Sequence, residues 1–180
     1  MRVITGKYKG RRFDVPHTFK ARPTTDFAKE NLFNVLQSYV DFDDEPRAMD
    51  LFAGTGSITI ELLSRGCSSV VSVELDQQHY NFIRSVLRTL GDDHCTLLRG
   101  DVQRIVSRVQ GPFDLIFADP PYALPWLAQL PDMVLSRPDL LASEGIFVLE
   151  HGKDNDFSAH PHFVEHRHYG SVNFSIFSIH

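Results

Sequence analysis

Short apolar segments alternate with segments of helical periodicity along most of the chain. The apolar segments predict strands, and apolar positions spaced three and four apart between them predict helices. The predicted strands cover residues 48–53, 70–75, 95–100, 113–119 and 145–151, and the predicted helices cover 57–65, 77–90, 102–109 and 126–137. Regular alternation of this kind is typical of an α/β protein whose parallel sheet is covered by helices on both faces.

The two ends of the chain follow different patterns. Residues 2–15 alternate short β-prone runs around two glycines, which predicts a hairpin. Residues 163–169 and 172–179 predict two further strands that would close the sheet as an antiparallel hairpin. We therefore predict a single domain over residues 1–180, in which residues 1–21 form a basic N-terminal hairpin extension.

A helix is predicted to follow this extension. Thr24, Thr25 and Asp26 offer side-chain oxygens that can cap a helix N-terminus. The apolar residues after them are expected to form a buried stripe, and they are Phe27, Leu32, Phe33, Leu36 and Val40. This helix would connect the extension to the core.

Length and composition limit the class of protein. The chain has 180 residues, of which 42% are hydrophobic, and this is enough for one sizeable core. No apolar run approaches the roughly 20 residues that a membrane span needs, and the N-terminus lacks the apolar stretch of a signal peptide. Cys67 and Cys95 lack the C-x-x-C spacing of a metal or redox site. We therefore expect a cytoplasmic protein without disulfides or membrane contact, and a monomer by default.

Charge is unevenly distributed along the chain, whose formal net charge is -5. Residues 1–29 contain eight basic and two acidic residues, a net charge of +6, which leaves -11 for the remainder. A basic segment on an acidic body is typical of an arm that contacts nucleic-acid phosphates, and a solvated basic hairpin is the alternative. Arg11 and Arg12 are candidate phosphate contacts in this segment.

Gly54 and Gly56 lie in the sequence D-L-F-A-G-T-G-S, which runs from a predicted strand into a predicted helix. Two glycines let the backbone approach a ligand closely at the carboxyl end of the strands, where open α/β sheets bind ligands. The residue three positions after Gly56 is Thr59, so the dinucleotide pattern G-x-G-x-x-G is incomplete, and the G-K-[ST] of a triphosphate site is absent. The loop therefore predicts a ligand without a pyrophosphate.

Two carboxylates follow the next two predicted strands. Glu74 ends the second strand, where a carboxylate can accept hydrogen bonds from both hydroxyls of a ribose. Asp101 follows the third strand and could accept a hydrogen bond from the 6-amino group of an adenine. A ribose and an adenine without phosphates describe S-adenosylmethionine. Each acid taken singly is equally consistent with a helix cap.

The most specific motif in the chain follows the fourth predicted strand and consists of Asp119, Pro120, Pro121 and Tyr122. Two consecutive prolines restrict the backbone, and neither proline nitrogen can donate a hydrogen bond. The Asp119 carboxylate and the Pro120 carbonyl can each accept one hydrogen of an exocyclic amine and hold its nitrogen toward a methyl donor. Tyr122 can stack on an unstacked base. The motif predicts methyl transfer to an amine of a base without a metal, and a rigid turn with a capping Asp is the alternative.

These motifs resemble those of the RsmD family of 16S ribosomal RNA guanine methyltransferases, within the Rossmann-like class I methyltransferases. The resemblance covers nearly the whole chain and rests on five blocks: R-V-I-T-G-K-Y-K-G-R-R near the start, R-P-T-T-D-x-x-x-E-N-L-F-N, D-L-F-A-G-T-G, L-S-R-G and D-P-P-Y. It implies a seven-stranded, mostly parallel sheet whose last strand is antiparallel, and S-adenosylmethionine as the methyl donor. It also implies that the acceptor is the 2-amino nitrogen of one guanine in 16S rRNA, in an assembled or assembling small ribosomal subunit.

The resemblance also implies roles for individual residues. The methyl donor would contact Asp50, Gly54, Gly56, Glu74 and Asp101, together with the neighbouring Phe52, Leu75 and Val102. The target base would be held by Asp119, Pro120, Pro121 and Tyr122. Substrate RNA would contact Arg22 and Thr24 beside the same cleft, as well as Arg11 and Arg12.

Two other functions remain consistent with these residues. D-P-P-Y also resembles the motif of adenine 6-amino methyltransferases of DNA or RNA, although no segment is left for a module that reads DNA sequence. A ribosome-assembly protein that binds the donor and RNA without turnover is the second alternative. The C-terminal segment has spacings that could bind a metal, but a solvated loop and an edge strand explain its histidines, which are His160, His162, His166 and His168.

Overall fold

The computed structural model describes residues 1–20 and 24–179. Within these residues the chain forms five α-helices, two short 3-10 helices and seven strands. The α-helices are α1 (Asp26–Leu36), α2 (Ser57–Arg65), α3 (Gln77–Leu90), α4 (Val102–Val106) and α5 (Leu130–Leu135), and the 3-10 helices cover Phe42–Asp44 and Leu127–Gln129. The strands are β1 (Arg47–Asp50), β2 (Ser69–Glu74), β3 (Cys95–Arg99), β4 (Phe113–Ala118), β5 (Leu141–His151), β6 (Phe163–Tyr169) and β7 (Val172–Phe177).

The strands form one sheet in the order β3-β2-β1-β4-β5-β7-β6. The first five strands along the chain pair in parallel, and β7 is inserted antiparallel between β5 and β6. The prediction of a mostly parallel sheet with a C-terminal antiparallel hairpin is confirmed. The chain builds outward from β1 to β3 and then returns to place β4 on the other side of β1. Open α/β sheets bind ligands at such a reversal of strand order, outside the carboxyl ends of the strands.

Each face of the sheet carries its own hydrophobic cluster, because successive residues of a strand point to opposite faces. Ala48 and Leu115 belong to the cluster beneath α1, α2 and α3. Met49 and Ile116 belong to the cluster beneath α4 and α5. Burial on both faces explains the nearly continuous apolar runs of the central strands. None of the helices in the described part of the chain combines the length and the hydropathy that a membrane span requires.

Polar caps and glycines set the ends of the helices that border the sheet edge. Thr25 and Asp76 accept hydrogen bonds from amides in the first turns of α1 and α3, which begin directly after them. Gly66 and Gly91 take positive φ angles at the ends of α2 and α3. The predicted bounds of α2 and α3 are confirmed. They could be predicted because these capping signals are local in the sequence.

Two predicted helices are too long. The helix predicted at residues 126–137 is a 3-10 turn followed by the short α5, because Pro131 favours the start of a helix and not its interior. The helix predicted at residues 102–109 ends at Val106. Just beyond that end, the Ser107 hydroxyl donates to the backbone carbonyl of Arg104 at 2.6 Å, a bond that competes with helical pairing.

The N-terminal extension folds back on itself and packs against α2. The predicted hairpin is short: Arg2 and Arg12 form an antiparallel bridge, and backbone hydrogen bonds join Met1 to Phe13 and Val3 to Gly10 and Arg11. The pairing ends after Val3, because the amides of Ile4 and Thr5 donate to the carboxylate of Glu61 in α2, at 2.9 and 3.0 Å. The extension is therefore attached to the core by hydrogen bonds from its own backbone.

Two residues of α1 lie where the sequence pattern does not predict them. Phe27 is 65% exposed and so is wrongly assigned to the buried stripe. It precedes Leu36 by nine residues, which places it about half a turn away around the helix. Lys29 contributes to the predicted basic arm, but it is 1% exposed and donates to Ser57 Oγ at 3.0 Å. Its charge is therefore not accessible to a phosphate.

Candidate active site

A cleft of about 650 Å³ opens at the carboxyl ends of the parallel strands. Its lining includes Asp50 at the end of β1, Glu74 at the end of β2 and Asp119 directly after β4. The cleft therefore lies where the strand order reverses, as expected for a ligand site in this class of sheet. Its volume is in the range of sites for small molecules and cofactors.

The structure brings most of the predicted site residues together in this cleft. The predicted donor-binding residues in its lining are Asp50, Phe52, Gly54, Glu74, Leu75, Asp101 and Val102. The predicted base-binding residues all line it, and they are Asp119, Pro120, Pro121 and Tyr122. Their roles stay predictions.

The predicted RNA contacts are more dispersed. Thr24 lines the cleft. Arg11 and Arg12 are exposed on the N-terminal extension and do not line it. Arg22 lies outside the described residues.

The loop between β1 and α2 requires glycine at two positions. Gly54 and Gly56 have φ angles of 59° and 84°, a region that side chains disfavour. A Cβ atom on Gly56 would lie 2.9 Å from Cγ1 of Ile83, so α3 packs directly against the loop. Ser57 and Ile58 in the first turn of α2 line the cleft. The positive end of this helix therefore faces a ligand in the cleft.

Two backbone amides hold the Glu74 carboxylate in place. Oε1 accepts from the amide of Gly54 at 2.7 Å, and Oε2 accepts from the amide of Asp76 at 2.9 Å. His79 Nδ1 lies 3.6 Å from Oε2. Each carboxylate oxygen has a second lone pair, so Glu74 can still accept hydrogen bonds from a ligand. The loop and the carboxylate therefore orient each other before any ligand binds.

Asp101 caps α4, because its Oδ1 accepts from the amide of Gln103 at 2.7 Å. The interpretation as a helix cap is confirmed, and the residue is also exposed in the lining of the cleft. A carboxylate has about four acceptor positions, so one capping bond leaves capacity for a ligand amine. Leu75 and Val102 add apolar surface next to the two acids.

Asp50 is buried beneath the glycine loop, with 1% of its surface exposed. Its Oδ2 accepts from the Thr59 hydroxyl at 2.7 Å, and Thr59 Oγ1 lies 2.6 Å from Ser72 Oγ. Burial and the nearby Glu74 carboxylate raise the pKa of Asp50 to about 7, although the hydrogen bond from Thr59 opposes this rise. Asp50 therefore joins the end of β1 to α2 and β2.

The wall that follows β4 fixes the ring of Tyr122. The Tyr122 hydroxyl donates to Glu150 Oε2 at 3.2 Å, and Glu150 is 5% exposed near the end of β5. A Cβ atom on Gly152 would lie 3.1 Å from the tyrosine ring, so the ring packs against bare backbone. The rings of Phe52 and Trp126, 6.1 Å apart, add aromatic surface to the same cleft.

Sequence reasoning missed several residues of this site. Lys20, His79 and Trp126 line the cleft, and Glu150 holds Tyr122. Glu150 had a usable signal, because it is a carboxylate that directly follows the apolar run 146–149 near the carboxyl end of a strand. Lys20 had no such signal, because it reaches the cleft through packing of the N-terminal extension on α3. His79 lies in the first turn of α3, and no motif in the sequence marks it as a cleft residue.

The histidines of the C-terminal segment do not line the cleft. His160 Nε2 lies 2.8 Å from a carboxylate oxygen of Asp132, and His166 Nε2 lies 2.9 Å from the amide oxygen of Asn173. These protein partners account for the positions of both rings.

Comparison with known proteins identifies similar chains. The family described as "Conserved hypothetical protein 95" matches residues 1–178. Ribosomal RNA small subunit methyltransferase D of Haemophilus influenzae is 32% identical over 161 residues, which cover 86% of this chain and 80% of that protein. The hypothetical protein TTHA0928 of Thermus thermophilus superposes with a TM-score of 0.86 and 27% identity over 99% of both chains.

A more distant likeness concerns the fold alone. The ribosomal protein L11 methylase of Lactobacillus delbrueckii has a TM-score of 0.65 at 18% identity, over 83% of this chain and 76% of that one. The expected Rossmann-like class I methyltransferase fold is confirmed.

Proposed function

The chain belongs to the RsmD family of ribosomal RNA methyltransferases, and we propose that it methylates the exocyclic 2-amino group of a guanine in 16S rRNA. The methyl donor is S-adenosylmethionine. The observation that carries this proposal is one cleft that contains both the acidic edge formed by Glu74 and Asp101 and the Asp119–Tyr122 motif. A donor and a base could therefore meet in a single cavity.

The residues of the cleft fit S-adenosylmethionine. Glu74 is already oriented by the amides of Gly54 and Asp76 and can accept from ribose hydroxyls. Asp101 can accept from the adenine amino group, and the N-terminus of α2 can receive the carboxylate of the methionine part. When bound, this donor supplies a methyl group on a sulfonium, which is an activated leaving group.

The residues after β4 would orient the acceptor. An exocyclic amine is a poor nucleophile because its lone pair is delocalised into the ring. The Asp119 carboxylate and the Pro120 carbonyl accept its two hydrogens, so that the nitrogen faces the methyl group and its proton leaves late toward Asp119. Tyr122 stacks on the base, in a position that Glu150 and the backbone at Gly152 hold. No step in this scheme needs a metal.

The substrate has to present its guanine unstacked, because the amine must reach Asp119 inside the cleft. Arg11 and Arg12 are exposed on the N-terminal extension and would contact phosphates. Thr24 lines the cleft and would contact the RNA there, as would Arg22, which precedes it in the sequence. Phosphate contacts position an RNA without reading its sequence. Part of the specificity would therefore come from the assembled or assembling small subunit, which a monomer of this chain would approach in the cytoplasm.

The test is methyl transfer from labelled S-adenosylmethionine to small ribosomal subunits from cells that lack this protein, followed by nucleoside mass spectrometry. Naked 16S rRNA and DNA are assayed in parallel. We expect N2-methylguanosine on the subunits. Methyladenine would instead identify an adenine methyltransferase, and donor binding without product would favour an assembly factor.

A further inference from the structure

A second groove, of about 520 Å³, lies between the N-terminal extension and α3. We call it the α3 groove. The extension contributes Arg12 and Phe19 to its lining, and α3 contributes Asn81, Phe82 and Ser85. Phe13 and Asp14 also line it, so its surface combines one cation, one carboxylate, three aromatic rings and uncharged polar groups.

The charge around this groove differs from that of the protein as a whole. The α3 sequence contains two arginines and no Asp or Glu, although the chain has a net charge of -5. Arg88 lies about 20° from Asn81 around the helix and so flanks the groove. The guanidinium of Arg84 lies 5.8 Å from the ring of Tyr80, on the side of α3 that faces away from the groove. Asp14 is the acid in the lining, and the cations Arg12 and Arg88 outnumber it. The groove is therefore complementary in charge to a polyanion.

The α3 groove shares a wall with the methyl-transfer cleft. The ring of Phe19 lies 4.7 Å from the ring of His79, which lines the cleft, and 5.6 Å from the ring of Phe82, which lines the groove. Lys20, the residue after Phe19, lines the cleft. A polynucleotide with one base in the cleft can therefore continue across Phe19 into the groove.

We propose that the α3 groove holds the unpaired RNA nucleotides adjacent to the target guanine. Their bases contact Phe19 and Phe82, and their phosphates lie toward Arg12 and Arg88. Aromatic rings within a basic groove are the means by which proteins hold single strands, because every base has a face that stacks. The Asn81 amide group can donate to a sugar or phosphate oxygen, and Ser85 Oγ, whose hydrogen goes to the Phe82 carbonyl, can accept from a sugar hydroxyl. This inference rests on the proposed function, since it assumes that the cleft receives a base of RNA.

The test adds negative charge to the groove floor in the double variant Asn81→Asp with Ser85→Glu. Both residues are exposed on α3, so folding is retained. The control, Asn34→Asp with Gln37→Glu, adds the same charge to exposed positions at the C-terminal end of α1. Methyl transfer to small subunits and calorimetric binding of S-adenosylhomocysteine are measured for both. We expect the groove variant to raise KM for subunits by about tenfold or more, with kcat and donor affinity unchanged.

A third variant, Arg12→Gln, tests the phosphate contact. It should lower the slope of log KM against log salt concentration by about one. A groove variant with KM within twofold of wild type, or a control with an equal rise, would overturn the proposal while leaving the methyltransferase function intact. A wild-type protein that methylates no RNA would defeat the proposed function itself, and the groove assignment with it.

Discussion

Lys29 Nζ lies 3.0 Å from Ser57 Oγ, so a buried ammonium group joins α1 to the first turn of α2 beside the glycine loop. The same nitrogen donates to the carbonyl of Arg2 at 2.6 Å and lies 3.5 Å from Glu61 Oε1. Burial lowers the pKa of Lys29, and the Glu61 carboxylate opposes this effect. One buried cation therefore holds the N-terminal extension, α1 and the donor loop in a single arrangement.

Replacement of this cation should destabilise the whole arrangement. Lys29→Met leaves the Glu61 carboxylate buried without one of its two cationic partners, and breaking a buried ion pair from one side costs about 3 to 5 kcal/mol. We expect a loss of about 3 kcal/mol in the free energy of unfolding, measured in urea. The control is Lys9→Met at an exposed position, which should change stability by less than about 0.5 kcal/mol. Equal stabilities for the two variants would contradict the account.

Two glycines with positive φ allow the free-energy cost of backbone strain to be measured separately from the cost of a steric clash. Gly56→Ala introduces a Cβ atom 2.9 Å from Ile83, whereas Gly91→Ala meets nothing within 4 Å. Both variants bear the cost of a positive φ, about 1 to 2 kcal/mol, and Gly56→Ala should lose a further 1 to 3 kcal/mol, roughly, through overpacking. Thermal or urea unfolding of the two variants measures the difference. If Gly91→Ala is as damaging as Gly56→Ala, the contact between the loop and α3 does not determine the requirement for glycine.

Asp50 should make stability depend on pH. Its folded pKa of about 7 lies above its ordinary value of 3.8, so the folded state binds this proton more tightly than the unfolded chain. Asp50 therefore contributes on the order of 4 kcal/mol to the free energy of unfolding below about pH 4, and this contribution is lost as the pH rises to about 7. Asp50→Asn removes this titration. The unfolding free energy of the variant, measured without donor, should therefore rise relative to wild type between pH 4 and 8, and a constant difference would contradict the burial of a titrating carboxyl.

The hydroxyl and the ring of Tyr122 should contribute unequally to binding of the RNA substrate. Tyr122→Phe removes the hydroxyl bond to Glu150 and keeps the ring, so KM for the RNA substrate should change by less than about threefold. Tyr122→Ala removes the stacking surface, worth roughly 1 to 3 kcal/mol per base, and should raise KM by roughly 5- to 150-fold. Steady-state methyl transfer measures both. Similar values for the two variants would argue against stacking on the target base.

Much of the fold could be predicted because its signals are local. The ends of α2 and α3 follow from the Asp76 cap and from Gly66 and Gly91, which act within one helical turn. Tertiary packing determines which side chains are buried where these local signals do not. Phe27 is exposed because the core lies on the opposite side of α1, and Lys29 is buried because the extension and α2 surround its ammonium group.

The same distinction applies to the candidate site. Glu74, Asp101 and Asp119 could be predicted to share one edge, because the carboxyl ends of parallel strands meet there. Lys20 could not, since it reaches the cleft through packing of the extension on α3. His79 lies in the first turn of α3, where no motif marks it. The sequence also could not reveal that backbone amides already hold Glu74, because these bonds form only when the loop is folded.

The most direct test of the central claim compares Asp119→Asn with Asp101→Asn in single-turnover methyl transfer and in calorimetric binding of S-adenosylhomocysteine. If Asp119 orients the amine and Asp101 binds the donor, Asp119→Asn should lower the rate by about 100- to 1,000-fold with donor affinity within twofold of wild type. Asp101→Asn should weaken donor binding and leave the rate at saturating donor nearly unchanged. A rate within threefold of wild type for Asp119→Asn would contradict the assignment of this cleft as the methyl-transfer site.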